Sequence, residues 1–186
     1  GSIVKHEELS ALARHARTAI ARELGVDDVR DEEMDAAFTC LGASFVTLRW
    51  NDGRLQGCIG SLEPRRALAD DVAQNALAAC FADPRATPIS AGDLDALKVE
   101  VSVLSPLERI AYDGTEAGAR AALRVGTDGV LLTCCGHRGT FLPQMWEQLE
   151  TPEEFLTELK RKAHLSPEFW SPEIELQRYT VAKGVS

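Results

Sequence analysis

Apolar positions recur along this chain with two periods, and the switching between them lays out the order of elements. From residue 5 to 24, Leu9, Leu12, Ala16, Ala19 and Ile20 fall on one helical stripe that stops at Gly25, which predicts an amphipathic first helix. The acidic run from Val26 to Asp35 reads as solvated loop. From Phe45 to Gly60 the apolar residues alternate instead, on both sides of Asp52-Gly53, which is a β-hairpin signature. A two-residue loop there pairs Trp50 with Leu55, Leu48 with Gly57 and Val46 with Ile59. One face then collects Val46, Leu48, Trp50, Leu55 and Ile59 as a core face, and the other sets Phe45, Thr47 and Arg49 across from Gly60, Cys58 and Gln56. A three-residue loop would shift the pairing and put Cys58 opposite Val46, mixing the two faces.

After the hairpin, Glu63-Pro64 is expected to open a helix that runs to about Phe81, with Leu68, Val72, Ala76, Ala79 and Cys80 on its apolar stripe. Asp83-Pro84-Arg85 breaks it, and residues 90–97 leave room for a short turn. Lys98 to Leu104 alternates as a strand, with Val99, Val101 and Val103 on one side and Glu100 and Ser102 on the other. Residues 115–123 are predicted helical, 126–129 a turn, 130–135 a buried strand, 136–139 a second turn, 140–142 extended and 143–149 helical. Thr151-Pro152-Glu153-Glu154 supplies an N-cap, a proline at the first helical position and a capping-box glutamate for another helix. Residues 174–181 alternate as a last strand. This mixture predicts an α+β fold, a mixed and mostly antiparallel sheet flanked by helices with a smaller second subdomain, rather than a regular βαβ winding.

Composition narrows the classes. A chain of 186 residues with 45% hydrophobic content can build one core domain. The formal net charge of −9 argues against binding along a nucleic-acid backbone, which needs clustered cations. Only Lys160-Arg161-Lys162 with His164 is locally basic, and it reads as the solvated end of a helix. No long apolar run and no charged-then-apolar leader is present, so neither a membrane span nor a signal peptide is expected. The five cysteines lack disulfide-framework spacing, which suggests reduced thiols in a cytoplasmic protein.

The chemistry centres on Cys58. A thiol becomes a nucleophile when a cation or a helix N-terminus favours its thiolate, and Arg49 and the helix expected near Pro64 are the candidates, with Glu63 opposing them. The alternative is a cysteine that simply packs. Gly57 and Gly60 bracket it and leave room for another backbone or a ligand. A base would have to come from elsewhere in space, and the histidines are His6, His15, His137 and His164. Cys134-Cys135-Gly136-His137 resembles a metal motif, but adjacent strand residues point to opposite faces and no second ligand pair exists, so no metal is expected. The glycines form neither a dinucleotide fingerprint nor a P-loop, and there is no nucleophile elbow; no cofactor is expected. Glu100, Ser102, Arg85 and Arg138 are polar groups off the core faces.

Taken together, L-Q-G-C-I-G (55–60), Leu62-Glu63-Pro64, Asp83-Pro84-Arg85, V-E-V-S-V-L (99–104) and R-G-T-F-L-P (138–143) with Trp146 resemble the AMMECR-domain family, whose prokaryotic members are called AmmeMemoRadiSam system protein A. The resemblance spans nearly the whole chain, 1–186, as a single domain. It implies an α+β fold of two subdomains with a cleft near the G-C-I-G segment, a Memo-type protein and a radical SAM protein as partners, and an activity that is not settled. The family pattern falls on Gly57, Cys58, Ile59, Gly60, Glu100, Ser102, Arg138, Thr140, Phe141 and Pro143. This chain departs from it at Gln56, where the motif usually has arginine, and at Ala86, where an aromatic residue is common; Arg49 could stand in for the missing cation. Two functions follow as expectations. One is a regulatory or adaptor module that binds a partner or a small ligand around Cys58, through Arg49, Gly57, Gly60, Arg85, Ser102, Arg138, Thr140, Phe141 and Pro143. The other is a thiol enzyme with Cys58 as nucleophile and Glu100 or His137 as proton carrier.

Overall fold

The structure is a computed structural model that describes residues 5–26 and 36–186; the acidic run read as loop lies, from Asp27 to Asp35, outside the described residues. In chain order the elements are α1 (His6–Glu23), a 3-10 turn (Ala36–Thr39), β1 (Leu41–Gly42), β2 (Ser44–Trp50), β3 (Leu55–Gly60), β4 (Arg66–Ala67), α2 (Leu68–Phe81), a 3-10 turn (Ala91–Ala96) and β5 (Leu97–Leu104). They continue with β6 (Glu108–Arg109), α3 (Glu116–Ala122), β7 (Gly129–Cys134), β8 (His137–Phe141), a 3-10 helix (Pro143–Glu147), α4 (Pro152–Lys162), β9 (Glu175–Tyr179) and β10 (Val181–Val185). Two compact units result, Gly1–Leu104 with Ala182–Ser186, and Ser105–Val181. The fold is α+β, with antiparallel sheets flanked by helices.

In the first unit a sheet of order β10-β5-β2-β3 carries α1 and α2 on one face. The alternation read from the sequence supplies that face: Val46 and Leu48 of β2 and Val99 and Val101 of β5 pack against Leu12, Ala16 and Ile20 of α1 and Val72, Ala76 and Ala79 of α2. Alanines at these helix positions let backbones come close, and two glycines complete the fit. A Cβ on Gly57 would collide with the Ala79 carbonyl of α2, and one on Gly184 with the Leu9 carbonyl of α1. The strand read over 174–181 is β9, and one more strand follows it. β9 belongs to the second unit, and the chain then enters the first sheet as β10, where the Ser186 and Val99 backbones exchange hydrogen bonds of 2.8 Å.

Two local expectations change. The helix expected from Pro64 begins at Leu68, because Arg66 and Ala67 pair with Gly42 and Leu41 as a short ladder. The Leu68 N–H donates to the Cys40 carbonyl at 2.9 Å, so a neighbouring segment satisfies this end of the helix. Buried Asp71, in the first turn of α2, then accepts from the Ser44 amide (2.9 Å), the Ser44 hydroxyl (2.7 Å), Asn75 Nδ2 (3.0 Å) and Arg66 Nε (2.7 Å). A buried carboxylate is tolerable only with such a set of partners, and this one fixes the start of β2 to α2.

The second change is in the hairpin. Val46 pairs with Ile59, Thr47 with Cys58 and Leu48 with Gly57, as the apolar pattern requires. The loop, however, has three residues: Gly53, at φ +91°, donates to the Trp50 carbonyl, and the Trp50 amide donates to the Arg54 carbonyl. A bulge between Leu48 and Arg49 then absorbs the offset by leaving Gln56 as an extra residue on β3. A three-residue loop therefore coexists with Val46, Leu48 and Ile59 on the core face, but Leu55, expected beside Trp50 on that face, pairs with Arg49 instead.

The second unit is a β6-β9-β7-β8 sheet with α3, α4 and the 3-10 helix. Trp146 stacks on Phe155 at 3.9 Å between ring centroids and donates its indole N–H to the Asp128 carbonyl at 2.8 Å. Thr151 caps α4, accepting from the Glu154 amide at 3.2 Å. Lys160, read as part of a solvated helix end, is fully buried; its ammonium donates to Glu116 Oε1 at 2.9 Å and to the Phe169 carbonyl at 3.2 Å. The turn expected at 136–139 contracts to Cys135-Gly136, with φ of 57° and 81°, the left-handed pair of a type I′ hairpin. β8 therefore starts at His137.

Gly57→Ala is expected to destabilise the chain by about 3 kcal/mol, because the added methyl meets backbone that cannot yield. Chemical denaturation followed by circular dichroism checks this, and an unchanged midpoint would show that β3 and α2 are not locked at this contact.

Candidate functional site

The bulge decides which way each residue of L-Q-G-C-I-G faces. Gln56 and Gly57 both turn toward α2: fully buried Gln56 donates through Nε2 to the Cys80 carbonyl (2.9 Å) and the Thr87 carbonyl (2.8 Å). Its Oε1 accepts from Trp50 Nε1 and Thr87 Oγ1, both at 3.0 Å. The expectation that Gln56 shares a face with Cys58 is thus corrected. Where the family motif usually has a cation, this chain has a neutral amide that ties the hairpin to the segment after α2.

Cys58 is left on the face away from the helices, half-buried, with Sγ 3.2 Å from Thr47 Oγ1 in a hydrogen bond that either group could donate. The next residue in that row is Glu100, paired with Thr47 across β2 and β5 and 3.8 Å from the Lys183 ammonium. Buried Ser102 stands in the following row, opposite Phe45. Thiol, hydroxyl and carboxylate therefore line one row of three adjacent strands.

A residue outside the expected set organises this region. Asp83 is buried at the end of the α2 segment and accepts from the Cys58 amide at 3.0 Å. It also accepts from Arg85 three times, from the amide (2.9 Å), Nε (3.0 Å) and Nη2 (2.8 Å). Hydrogen bonding from the Arg85 side chain, with backbone bonds from Arg85 and Cys58, outweighs burial and holds the Asp83 carboxyl well below its ordinary value. The same bond to Asp83 raises Arg85, and the charges of Asp83 and of Cys58 add to it. The Arg85 side chain is nevertheless 57% exposed. Asp83-Pro84-Arg85-Ala86 is a β-turn closed by a 2.9 Å bond from the Ala86 amide to the Asp83 carbonyl. In the sequence the Asp-Pro pair signals only a turn; the carboxylate's second partner comes from β3.

The remaining candidates fall as follows. Arg49 is exposed and reaches back to the Gly53 carbonyl at 3.4 Å. The space beside Gly57 is occupied by the Ala79 carbonyl and that beside Gly60 by the Phe45 ring, so what comes close to these glycines is the chain itself, not a ligand. Arg138, Thr140, Phe141 and Pro143 belong to the second unit. Arg138 is exposed on β8 opposite Thr133. Thr140 bonds the Val130 carbonyl (2.8 Å) and the Tyr179 hydroxyl (2.7 Å), and Phe141 meets Phe155 edge-on at 5.5 Å. Pro143 opens the 3-10 helix. Thr140 and Phe141 thus have hydrogen-bond and ring partners within their own unit. His6 and His15 lie on α1, His137 on β8 and His164 just after α4. Among the described residues no group of three or more His, Cys, Asp or Glu side chains is placed to hold a metal ion, and no helix is long and apolar enough to cross a membrane.

Comparison with known proteins agrees with this architecture. The family model described as AMMECR1 matches residues 13–184. A protein of Methanothermobacter thermautotrophicus is 35% identical over 184 residues, covering 95% of this chain and 93% of its own, and one of Methanocaldococcus jannaschii is 31% identical over 180 residues, covering 93% and 87%. The crystal structure of an uncharacterized protein from Pyrococcus horikoshii superposes with a TM-score of 0.86 at 30% identity, covering 98% of this chain and 93% of that one. With a matched model running almost from end to end and relatives of this length and identity, the chain belongs to the AMMECR1 family.

Proposed function

We propose that this protein is a cytoplasmic regulatory or adaptor module that works with a Memo-type protein and a radical SAM protein, binding a partner or a small ligand at the Cys58 surface. The observation that carries this reading is the Asp83 clamp. One buried carboxylate holds the Cys58 backbone and the Arg85 guanidinium together while leaving more than half of the Arg85 side chain open to solvent. A cation fixed in this way is preorganised for a carboxylate or phosphate group, because little of its side-chain freedom remains to be lost on binding. The thiol's hydrogen bond goes to the Thr47 hydroxyl, which is not a base at neutral pH, and this supports binding over proton transfer.

A second reading, Cys58 as nucleophile, draws on the same arginine, since a nearby guanidinium favours thiolate over thiol. Site-resolved iodoacetamide labelling separates the two. If the thiol is activated, Cys58 alkylates faster than a free thiol at neutral pH and Arg85→Ala slows it severalfold. Labelling at the free-thiol rate in both proteins removes the enzyme reading.

For the binding reading, co-purification with the Memo-type and radical SAM partners is expected to fall at least tenfold in Arg85→Ala and to fall in Cys58→Ala, with Arg138→Ala tested alongside for the second unit. Full retention in all three would sink the proposal. Acid titration reports on the clamp itself. Folding lowers the Asp83 carboxyl, so the unfolded chain binds more protons at low pH. The stability this group supplies is complete above the unfolded value of about 3.9 and is lost as pH falls below it toward the folded value. Asp83→Asn should therefore be less stable than the parent at neutral pH and show a shallower loss below pH ~4, read from denaturation midpoints across the pH series.

A further inference from the structure

The second unit contains a pair of sulfurs that the reading above does not use. Cys134 ends β7 and is buried; Cys135 is exposed and is the first residue of the two-residue turn into β8. Adjacent residues face opposite ways only when both are in a strand. Here the second sits in the left-handed region at φ 57°, and its side chain swings to the same side, leaving the two Sγ atoms 2.7 Å apart. Asparagine, aspartate and glycine are the residues that ordinarily take this position of a type I′ turn, so a cysteine here is not explained by turn chemistry. The remaining cysteines offer no such partner: Cys40 is exposed, Cys80 is buried in the first unit's core, and Cys58 bonds Thr47.

We propose that Cys134 and Cys135 form a redox-modification site, a vicinal dithiol that a hydroperoxide closes to an intramolecular disulfide and that a dithiol reductant reopens. Exposure makes Cys135 the attacking group. Its thiolate takes the distal peroxide oxygen, the O–O bond breaks, and the departing hydroxide is protonated to water, leaving a sulfenic acid. The Cys134 sulfur then attacks the Cys135 sulfur; the S–O bond breaks, and the oxygen leaves as a second water with the Cys134 proton. Two thiols lose two electrons and two protons, and one hydrogen peroxide becomes two waters.

The order of events fits the surroundings. Burial first, then the bond to Cys135 and the charges of Cys135 and Glu173, push the Cys134 thiol up to about 11, which makes it the resolving rather than the attacking group. Every peptide bond of the described chain is trans, so the two Cα atoms are about 3.8 Å apart, shorter than the usual disulfide span of roughly 4.4–6.8 Å. A bridge at that spacing is strained and hence readily reduced, as a reversible modification requires. β8, which leaves this turn, carries Arg138, Gly139 and Thr140, so the modification acts on the strand that bears them.

The test exposes the reduced full-length chain to one equivalent of hydrogen peroxide, blocks remaining thiols with iodoacetamide and maps the peptides by mass spectrometry. The expected product is a Cys134-Cys135 peptide lighter by two hydrogens, closed to alkylation, fully alkylated after dithiothreitol treatment, and accompanied by no cross-linked species on a non-reducing gel. Cys135→Ser should lack this product and Cys58→Ser should keep it. In parallel, phenylarsine oxide should bind the untreated chain once and be displaced by a dithiol but not by a monothiol. Alkylation of both cysteines after peroxide, or a sulfinic acid at Cys135 with no bridge, would overturn the proposal, as would a bridge that dithiothreitol does not open.

Discussion

β3 runs against α2 so closely that position 57 has no room for a side chain, and much of the first unit follows from this contact. The Ala79 carbonyl fills the space beside Gly57, and next to it a bulge leaves Gln56 outside the pairing. The bulge sets how the flanking residues face. It buries Gln56 among the carbonyls of Cys80 and Thr87 and sends Cys58 to the opposite face. α2 ends just beyond the contact, and this brings Asp83 within 3.0 Å of the Cys58 amide. The surface around the thiol is thus a product of how two backbones pack, and Gly57 contributes to it by absence of mass.

The electrostatics of the site reduce to one carboxylate with two kinds of partner. Asp83 is buried, and a buried charge is stable only when its lone pairs are met, as they are by two backbone amides and the Arg85 fork. The anion lies inside and the cation is more than half exposed, so the positive group is what solvent meets at this clamp. Asp71 repeats the arrangement beneath the other end of the hairpin, joining Ser44, Asn75 and Arg66. Two interior aspartates, one in the first turn of α2 and one just past its end, therefore hold β2 and β3 on the helix.

Several features of the site were legible in the residues alone. The pairing of Thr47 with Cys58 followed from keeping apolar residues on one face, and it survived even though the loop length behind it was wrong, because the bulge restored the register. Glu100 and Ser102 were placed off the core by the valine alternation of β5, and the structure sets both in rows beside Cys58. Asp83 shows in the sequence only as a turn former, since nothing local to Asp-Pro-Arg reveals that the carboxylate also accepts from β3. Gln56 and Lys160 differ from expectation for the same reason: each is polar by residue type, yet each is buried where backbone carbonyls remote from it accept its N–H groups.

By itself the sequence determined the class of fold, the identity of most helices and strands, the core face of the hairpin and the family, since all of these rest on periodicity, capping residues and short motifs that act over a few neighbours. Only the tertiary structure decided where the α2 helix starts, that a further strand follows β9 and joins the other sheet, that Gly57 and Gly60 are filled from within the chain, and that one carboxylate, Asp83, takes both the Cys58 amide and the Arg85 side chain. Those outcomes depend on backbone groups from remote parts of the chain meeting at hydrogen-bond distance. The pattern of side chains along a strand carries no record of which carbonyl will arrive beside it.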